Sequence, residues 1–391
     1  MDRVLTLRVL MTADCVGGVW TYAMTLCRAL AEHDVHVTLA ITGGDMSDEQ
    51  RAQADALPNA DWHHKPFKCE WMQPPLADVA AAGEWLESLW DEVVPDVVHL
   101  NDFAHGDRWF GQCPRLVVAH SDVVSWHHAV HERDPDGSWH AYRTAVAEGL
   151  SQADAVVIFT QVQTFGLQTF YGYRGRPRII PNAIDVPLTD AVDAEREPFV
   201  LTAGRIWDEA KNASVLAEAA AGLSWPVKVV GDARHPDGGT AATFENVELL
   251  GPLPRSDLLS LMRRAGIYAA PARYEPFGLA IAEAAACGCP LVLGALPSLI
   301  DLWGASACYF ESHDIDDGHE RIPCNDPADL QSTLQALIDD PQRRRELSRD
   351  ARRTARHYTP ARQAAAYFDL YQQLAAAGRR PTANKPSASA P

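Results

Sequence analysis

Short apolar runs alternate along this chain with longer stretches whose apolar residues recur at helical spacing. Residues 7–12 read as a strand, the Gly17-Gly18 pair as a turn, and about 19–33 as a helix. The β-branched run at 35–42 is the next strand, and 93–100, 115–120, 155–160 and 178–180 follow it. Strands that alternate with helices build a parallel sheet covered on both faces. The pattern restarts near Phe199. Strands are predicted at 199–203, 227–230, 247–250, 267–270, 290–293 and 308–310, with helices at 213–221 and 256–265.

The stretch 187–198 between the two sets is polar, acidic and bounded by prolines, so it reads as a linker. Residues 327–377 are strongly helical. Thr359 and Pro360 supply an N-cap and a first-turn proline for the last helix. Ala364, Tyr367, Phe368, Tyr371 and Leu374 line one face of it. The tail from Arg379 is rich in Pro, Ser and Ala and is expected to be disordered. The predicted fold is α/β: two doubly wound, Rossmann-like domains facing a central cleft. Expected boundaries are 1–186 for the first domain, 187–198 for the linker and 199–358 for the second domain. A terminal helix over 359–377 and a tail over 378–391 complete the chain.

Length agrees with that division, since 391 residues exceed one compact core. No apolar run approaches the ~18–20 residues that span a bilayer, and residues 1–8 lack a signal-peptide core. A cytoplasmic protein without stable membrane insertion is the expectation. Net charge is −18, and 25 acidic against 13 basic residues fall before Val186. Such a field disfavours nucleic acid and anionic lipid surfaces. The eight cysteines are scattered, without zinc-ribbon spacing, and read as reduced thiols.

The most informative segment is Arg273-Tyr274-Glu275-Pro276-Phe277-Gly278-Leu279-Ala280-Ile281-Ala282-Glu283. Two carboxylates flank a Pro-Phe-Gly turn that opens an Ala-rich helix. Free N–H groups at a helix start suit an anion. A carboxylate on either side suits hydroxyls on both sides of a bound diphosphate. A nucleotide-sugar has that layout, so a sugar-transferring enzyme is expected.

Gly204-Arg205 ends the first strand of the second half, and Lys211-Asn212 begins the next helix. A guanidinium and an ammonium at the carboxyl edge of a sheet suit a diphosphate, though ordinary surface cations would look the same. Gly231-Asp232 and the loop carrying Leu253 lie at the same edge and are candidates for base and ribose. Gly17-Gly18 lets backbone approach a phosphate but lacks the full G-x-G-x-x-G context, so nicotinamide binding is rejected. His120 closes a strand and can meet a sugar hydroxyl or be structural. His127 and His131 have metal-ligand spacing without an H-E-x-x-H, so an acceptor-facing or solvated cluster is preferred and no metal is expected. The His- and Trp-rich stretch after His120, with Asp122, Trp126 and His127, is the candidate acceptor site. No G-x-S-x-G occurs, which argues against a serine hydrolase.

Together these residues resemble the retaining nucleotide-sugar glycosyltransferases of family four, with the GT-B fold, over about residues 7–375. The Glu275–Glu283 spacing matches the family's Glu-x7-Glu motif. Gly204-Arg205 with Lys211-Asn212 is a second match, and Pro181-Asn182-Ala183-Ile184-Asp185 matches its Pro-Asn-Gly-Val-Asp turn with Ala183 for Gly. The resemblance implies that the first domain takes the acceptor and the second a UDP- or GDP-sugar. It implies that Glu283 binds the ribose and Glu275 the transferred sugar. Arg205 and Lys211 would neutralise the diphosphate, and the backbone of Phe277, Gly278 and Leu279 would cap it. Gly18 would touch the donor from across the cleft, His120 would face the reacting sugar, and the last helix would cross back to the first domain. The acceptor would be a glycan or a sugar-bearing metabolite. No cofactor is expected, because these charges can replace a divalent metal. One departure is the loop Leu296-Pro297-Ser298-Leu299-Ile300-Asp301, where members carry Gly-Gly and then Glu. Rival readings are a GT-B-like epimerase, an inactive nucleotide-sugar-binding protein, and a pyridoxal-phosphate phosphorylase. The last finds only Lys211 and Lys228 in the second half before Pro360.

Overall fold

The computed structural model describes residues 6–73, 76–187, 196–234, 241–310 and 326–378. Most of the stretch read as a linker, and nearly all of the tail read as disordered, lie outside these residues.

The first sheet has seven strands: β1 (Leu7–Asp14), β2 (Val35–Thr42), β3 (Ala60–His64), β4 (Val97–Leu100), β5 (Arg115–Val118), β6 (Ala155–Ile158) and β7 (Arg178–Ile179). They are ordered β3-β2-β1-β4-β5-β6-β7, and every pair is parallel. The second has six: β8 (Glu197–Ala203), β9 (Val227–Val230), β10 (Glu248–Gly251), β11 (Ala265–Ala270), β12 (Leu291–Gly294) and β13 (Cys308–Phe310). Their order is β10-β9-β8-β11-β12-β13, again all parallel. In both sheets the order reverses beside the first strand, between β1 and β4 and between β8 and β11. The crevice beyond the carboxyl ends at such a switch point is where doubly wound folds bind ligands. The two crevices face each other.

The expected strand at 93–100 starts later, at Val97, because helix Leu76–Val93 runs through the first of those residues. Pro95 prevents the helix from continuing. Strand β3 and helix Asp48–Asp55 escaped the reading because both are polar. The strand is Ala-Asp-Trp-His-His at a sheet edge, and the helix is set by a Ser47–Gln50 capping box rather than by an apolar face.

Helix Pro360–Gly378 packs on helix Gly18–Leu30 of the first domain, with Tyr367 and Tyr371 fully buried. Burying a large apolar side chain contributes about 1.5–3 kcal/mol. The chain reaches that helix past the hinge turn: Ile184 N–H donates to the Tyr358 carbonyl at 3.0 Å, and Gln363 donates to the Pro181 carbonyl at 3.3 Å. Among the described residues, seven cysteines are free thiols and no helix is long and apolar enough to cross a membrane.

Candidate active site in the interdomain cleft

A cavity of about 540 Å³ lies between the two switch points. Its second-domain wall grows from the end of β8. Gly204 and Arg205 follow that strand directly, and the Arg205 guanidinium donates to Asp208 Oδ2 at 2.9 Å. It also reaches the first domain, since one of its nitrogens lies 3.3 Å from where a Cβ on Gly17 would sit. Asp208 Oδ1 caps the turn Glu209–Lys211 and accepts Trp126 Nε1–H from the opposite wall at 3.1 Å. Lys211 Nζ meets Glu275 Oε2 at 2.5 Å.

Gly278 precedes helix Leu279–Ala286 with φ 83°, a left-handed conformation that favours glycine. No side chain caps that helix. Its first N–H groups and the positive end of its dipole therefore remain available to an anion. The departing segment is not a loop but the start of helix Pro297–Trp303, opened by its proline, and it acts as a buttress: Ser298 Oγ donates to the Glu275 carbonyl at 2.7 Å. Asp301 is exposed and accepts the Gln161 N–H of the first domain at 3.3 Å.

The first-domain wall is assembled from distant segments. Gly18 opens helix Gly18–Leu30, and a Cβ there would lie 3.4 Å from Leu279 Cδ1 across the cleft. Asp14, at the end of β1, is held by the Val16 N–H at 2.8 Å. Burial, only partly offset by that bond and by Arg205, pushes its carboxyl up to about 7.

His120 follows β5 and belongs to a buried relay. Asn101 Nδ2 donates to the Thr12 carbonyl at 2.6 Å, which turns Asn101 Oδ1 toward His120 Nε2 at 2.8 Å and His99 Nε2 at 3.3 Å. Both Nε2 atoms therefore carry the proton in this network. His99 Nδ1 then accepts the Tyr371 hydroxyl at 2.5 Å, tying the last helix to the cleft. His120 keeps Nδ1 as an acceptor for a hydroxyl. Burial holds both imidazoles neutral, down to about 3.

Beyond His120 the wall turns aromatic, with Trp71, Trp126, Trp139 and Tyr142 lining the cavity. Asp122 lines it too, but its Oδ1 caps helix Val123–His131 through Ser125 N–H and accepts the Tyr171 hydroxyl at 2.6 Å. The His127 imidazole is shifted down, by burial first and then by neighbouring His131 and Arg133. Its ring packs between Trp126 and Trp139, with His131 beside it. Among the described residues, no three metal-ligating side chains are grouped to hold an ion.

Of the residues singled out from the sequence, most meet at this cavity. Gly204, Arg205, Lys211, Glu275, Phe277, Gly278 and Leu279 form one wall; Gly18, His120, Asp122, Trp126 and His127 belong to the other. Gly231, Asp232, Leu253 and Glu283 are not among its lining residues. Gly231 is required by packing, since a Cβ there would overlap the Gly204 carbonyl. The Asp232 carbonyl holds the Ile206 N–H, so this loop supports the one bearing Arg205. Leu253 packs on the core. Glu283 lies one helical turn beyond Leu279 and accepts two bonds from Arg255, at 3.1 and 2.8 Å. Arg255 also donates to the Asp185 carbonyl at the hinge.

Sequence reading missed Asp14, Glu70, Trp71 and the Asn101–His99–Tyr371 relay. Asp14 had a usable signal, because it ends the first strand just before the glycine pair. Glu70 had none. It sits in the loop after β3, where its carboxylate accepts the Phe103 and Ala104 N–H groups. Burial and the nearby Asp102 push it up to about 8.

Residues 16–187 match the model of Glycosyltransferase Family 4, and residues 197–340 that of Glycosyl transferases group 1. A D-inositol 3-phosphate glycosyltransferase of Xylanimonas cellulosilytica is 27% identical over 93% of each chain. Another, from Corynebacterium kroppenstedtii, is 36% identical over 129 residues, which are 32% of this chain and only 26% of that relative. Among solved structures, sucrose-phosphate synthase from Thermosynechococcus elongatus superposes with a TM-score of 0.74 at 20% identity, covering 95% of this chain and all of that one. That likeness establishes the fold. With one family model on each domain and a cleft built at both switch points, the chain belongs to the family-four-type glycosyltransferases of GT-B fold.

Proposed function

We propose that this chain is a retaining glycosyltransferase that moves a sugar from a UDP- or GDP-sugar to a hydroxyl acceptor, a glycan or a sugar-bearing metabolite. The observation that carries the reading is the convergence of Arg205, Lys211 and the uncapped start of helix Leu279–Ala286 on one cavity. Two cations and a helix N-terminus suit a diphosphate. Both cations are parked on carboxylates, Asp208 and Glu275, which a donor would displace or share. Glu283 would take the ribose in exchange for Arg255.

In this scheme the leaving diphosphate is stabilised by fixed charges without a metal or other cofactor. Preorganised donors of this kind are worth roughly 10²–10³ in rate each. Glu275 orients the transferred sugar, and neutral His120 accepts a hydroxyl bond on its reacting side. The acceptor hydroxyl attacks from the face the diphosphate leaves, through an oxocarbenium-like state, so anomeric configuration is kept. Contacts across the cleft, such as Trp126 to Asp208, exclude water as the domains close.

The test is a thermal-shift and turnover screen against UDP- and GDP-sugars with EDTA present, using wild type and Glu283→Ala. One donor should raise the melting temperature by mass action, about 2.7 kcal/mol at a hundred times its Kd. The variant should lose that shift. Wild type that neither binds nor hydrolyses any donor would sink the proposal. Product formed without an acceptor, as an altered nucleotide-sugar, would favour an epimerase instead.

A further inference from the structure

We infer that the acceptor half of the cleft takes an uncharged sugar or polyol and rejects phosphorylated ones. The inference rests on the glycosyltransferase reading and specifies its second substrate.

The lysine and arginine side chains that line the cavity, Arg205 and Lys211, both belong to the second domain, and each is paired with a carboxylate there. The first-domain wall offers Asp14, Glu70 and Asp122, and among the described residues no lysine or arginine. Its two histidines, His120 and His127, are both held toward the neutral form by burial.

The backbone points the same way. N–H groups beyond strand ends are natural phosphate ligands. Here the Val16 N–H is taken by Asp14, and those of Phe103 and Ala104, behind the lining, by Glu70; the uncapped start of helix Gly18–Leu30 lies against Leu279 on the donor side. A phosphate arriving beyond that helix start, beside the aromatic rings, would meet carboxyls where it needs donors. The nearest lining cations, Arg205 and Lys211, are already paired with Asp208 and Glu275, and bringing a phosphate beside buried carboxyls is disfavoured.

What the wall does offer is Trp71, Trp126, Trp139 and Tyr142. Trp126 is fixed in place by its bond to Asp208. Rigid rings with a few polar groups suit a neutral ring that presents C–H faces and hydroxyls. Asp14 and His120 can receive those hydroxyls. The relatives named above carry a phosphate in the substrate of their names. This chain would differ from them at the acceptor.

The experiment compares matched acceptor pairs with wild-type enzyme: myo-inositol with D-inositol 3-phosphate, glucose with glucose 6-phosphate, and fructose with fructose 6-phosphate. UDP-glucose or GDP-mannose serves as donor, whichever is hydrolysed. At least one neutral member should be glycosylated with kcat/KM tenfold or more above its phosphate ester. A phosphate ester used as well as or better than its neutral partner overturns the inference. So does an enzyme that hydrolyses donor yet glycosylates none of the neutral members. Donor binding is read separately by thermal shift. If no donor binds, the glycosyltransferase reading fails and takes the inference with it.

Discussion

The two walls of the cleft are built in different ways. The second-domain wall uses contiguous pieces: Gly204 to Lys211 after one strand, and Glu275 to Leu279 after another. Its charged groups are partly open, with the Arg205 side chain 44% exposed and paired to a carboxylate three residues away. The first-domain wall draws on Asp14, Glu70, His120, Trp126 and Trp139, which come from separate segments of the chain. Its polar groups are buried and bonded to one another, and one relay ends on Tyr371 in the last helix. A diphosphate asks for the same chemistry wherever it binds, so a local motif suffices. An acceptor is recognised by shape and by a neutral polar surface, which only assembled elements can supply.

This contrast predicts a rate effect without a stability effect on one side. Arg205→Ala should lower kcat by roughly 10²–10³, while the melting temperature stays near that of wild type, because exposed ion pairs add little. Turnover and thermal melts on the same preparation decide it. Unchanged turnover in the folded variant would break the assignment of the charged wall.

The opposite wall should fail in the other order. Tyr371→Phe removes the hydroxyl that His99 Nδ1 accepts and leaves a buried acceptor unpaired. Such a loss costs about 1–3 kcal/mol. It should appear as a lower denaturation midpoint, with a smaller rate loss than Arg205→Ala. A Tyr371→Phe protein as stable as wild type would show that the relay does not hold this wall.

The smallest effect is in pH. His99 and His120 are each held down to about 3 in the folded chain, below the ordinary histidine value of 6.5. The unfolded chain therefore binds protons at these two rings that the folded chain refuses, and their contribution to stability falls as pH drops below about 6.5. The limit is roughly 1.4 kcal/mol per pH unit for each ring. His105 acts in the reverse sense. Burial works against its charge, but Asp102 at 2.7 Å wins and raises it to about 9. Its contribution is present below pH 6.5 and is lost as pH rises through 9. On the acid side Asp14 and Glu70, raised to about 7 and about 8, bind protons in the folded chain and offset the two histidines, so the decline in denaturant midpoint is expected between pH 7 and 9. A midpoint that holds or rises from pH 7 to 9 would show that His105 is not held charged by Asp102.

Much of the fold was legible because parallel strands buried on both faces are near-continuous apolar runs. Strands β2, β9 and β13 match the expected segments end to end. Polar pieces were not legible: β3 and helix Asp48–Asp55 owe their place to an edge and a cap, not to periodicity. At the site, the Glu-x7-Glu segment and Arg205 with Lys211 could be read because neighbours in sequence are neighbours in the cleft.

By itself, then, the sequence determined the two parallel-sheet domains and the charged wall, since both rest on spacing within a strand, a turn or one helix. Only the tertiary structure decided that Glu283 rests on Arg255 behind the lining, that Glu70 and Asp14 occupy backbone donors of the first domain, and that Tyr371 reaches His99. Those contacts join residues up to 272 positions apart, and packing alone brings such residues together.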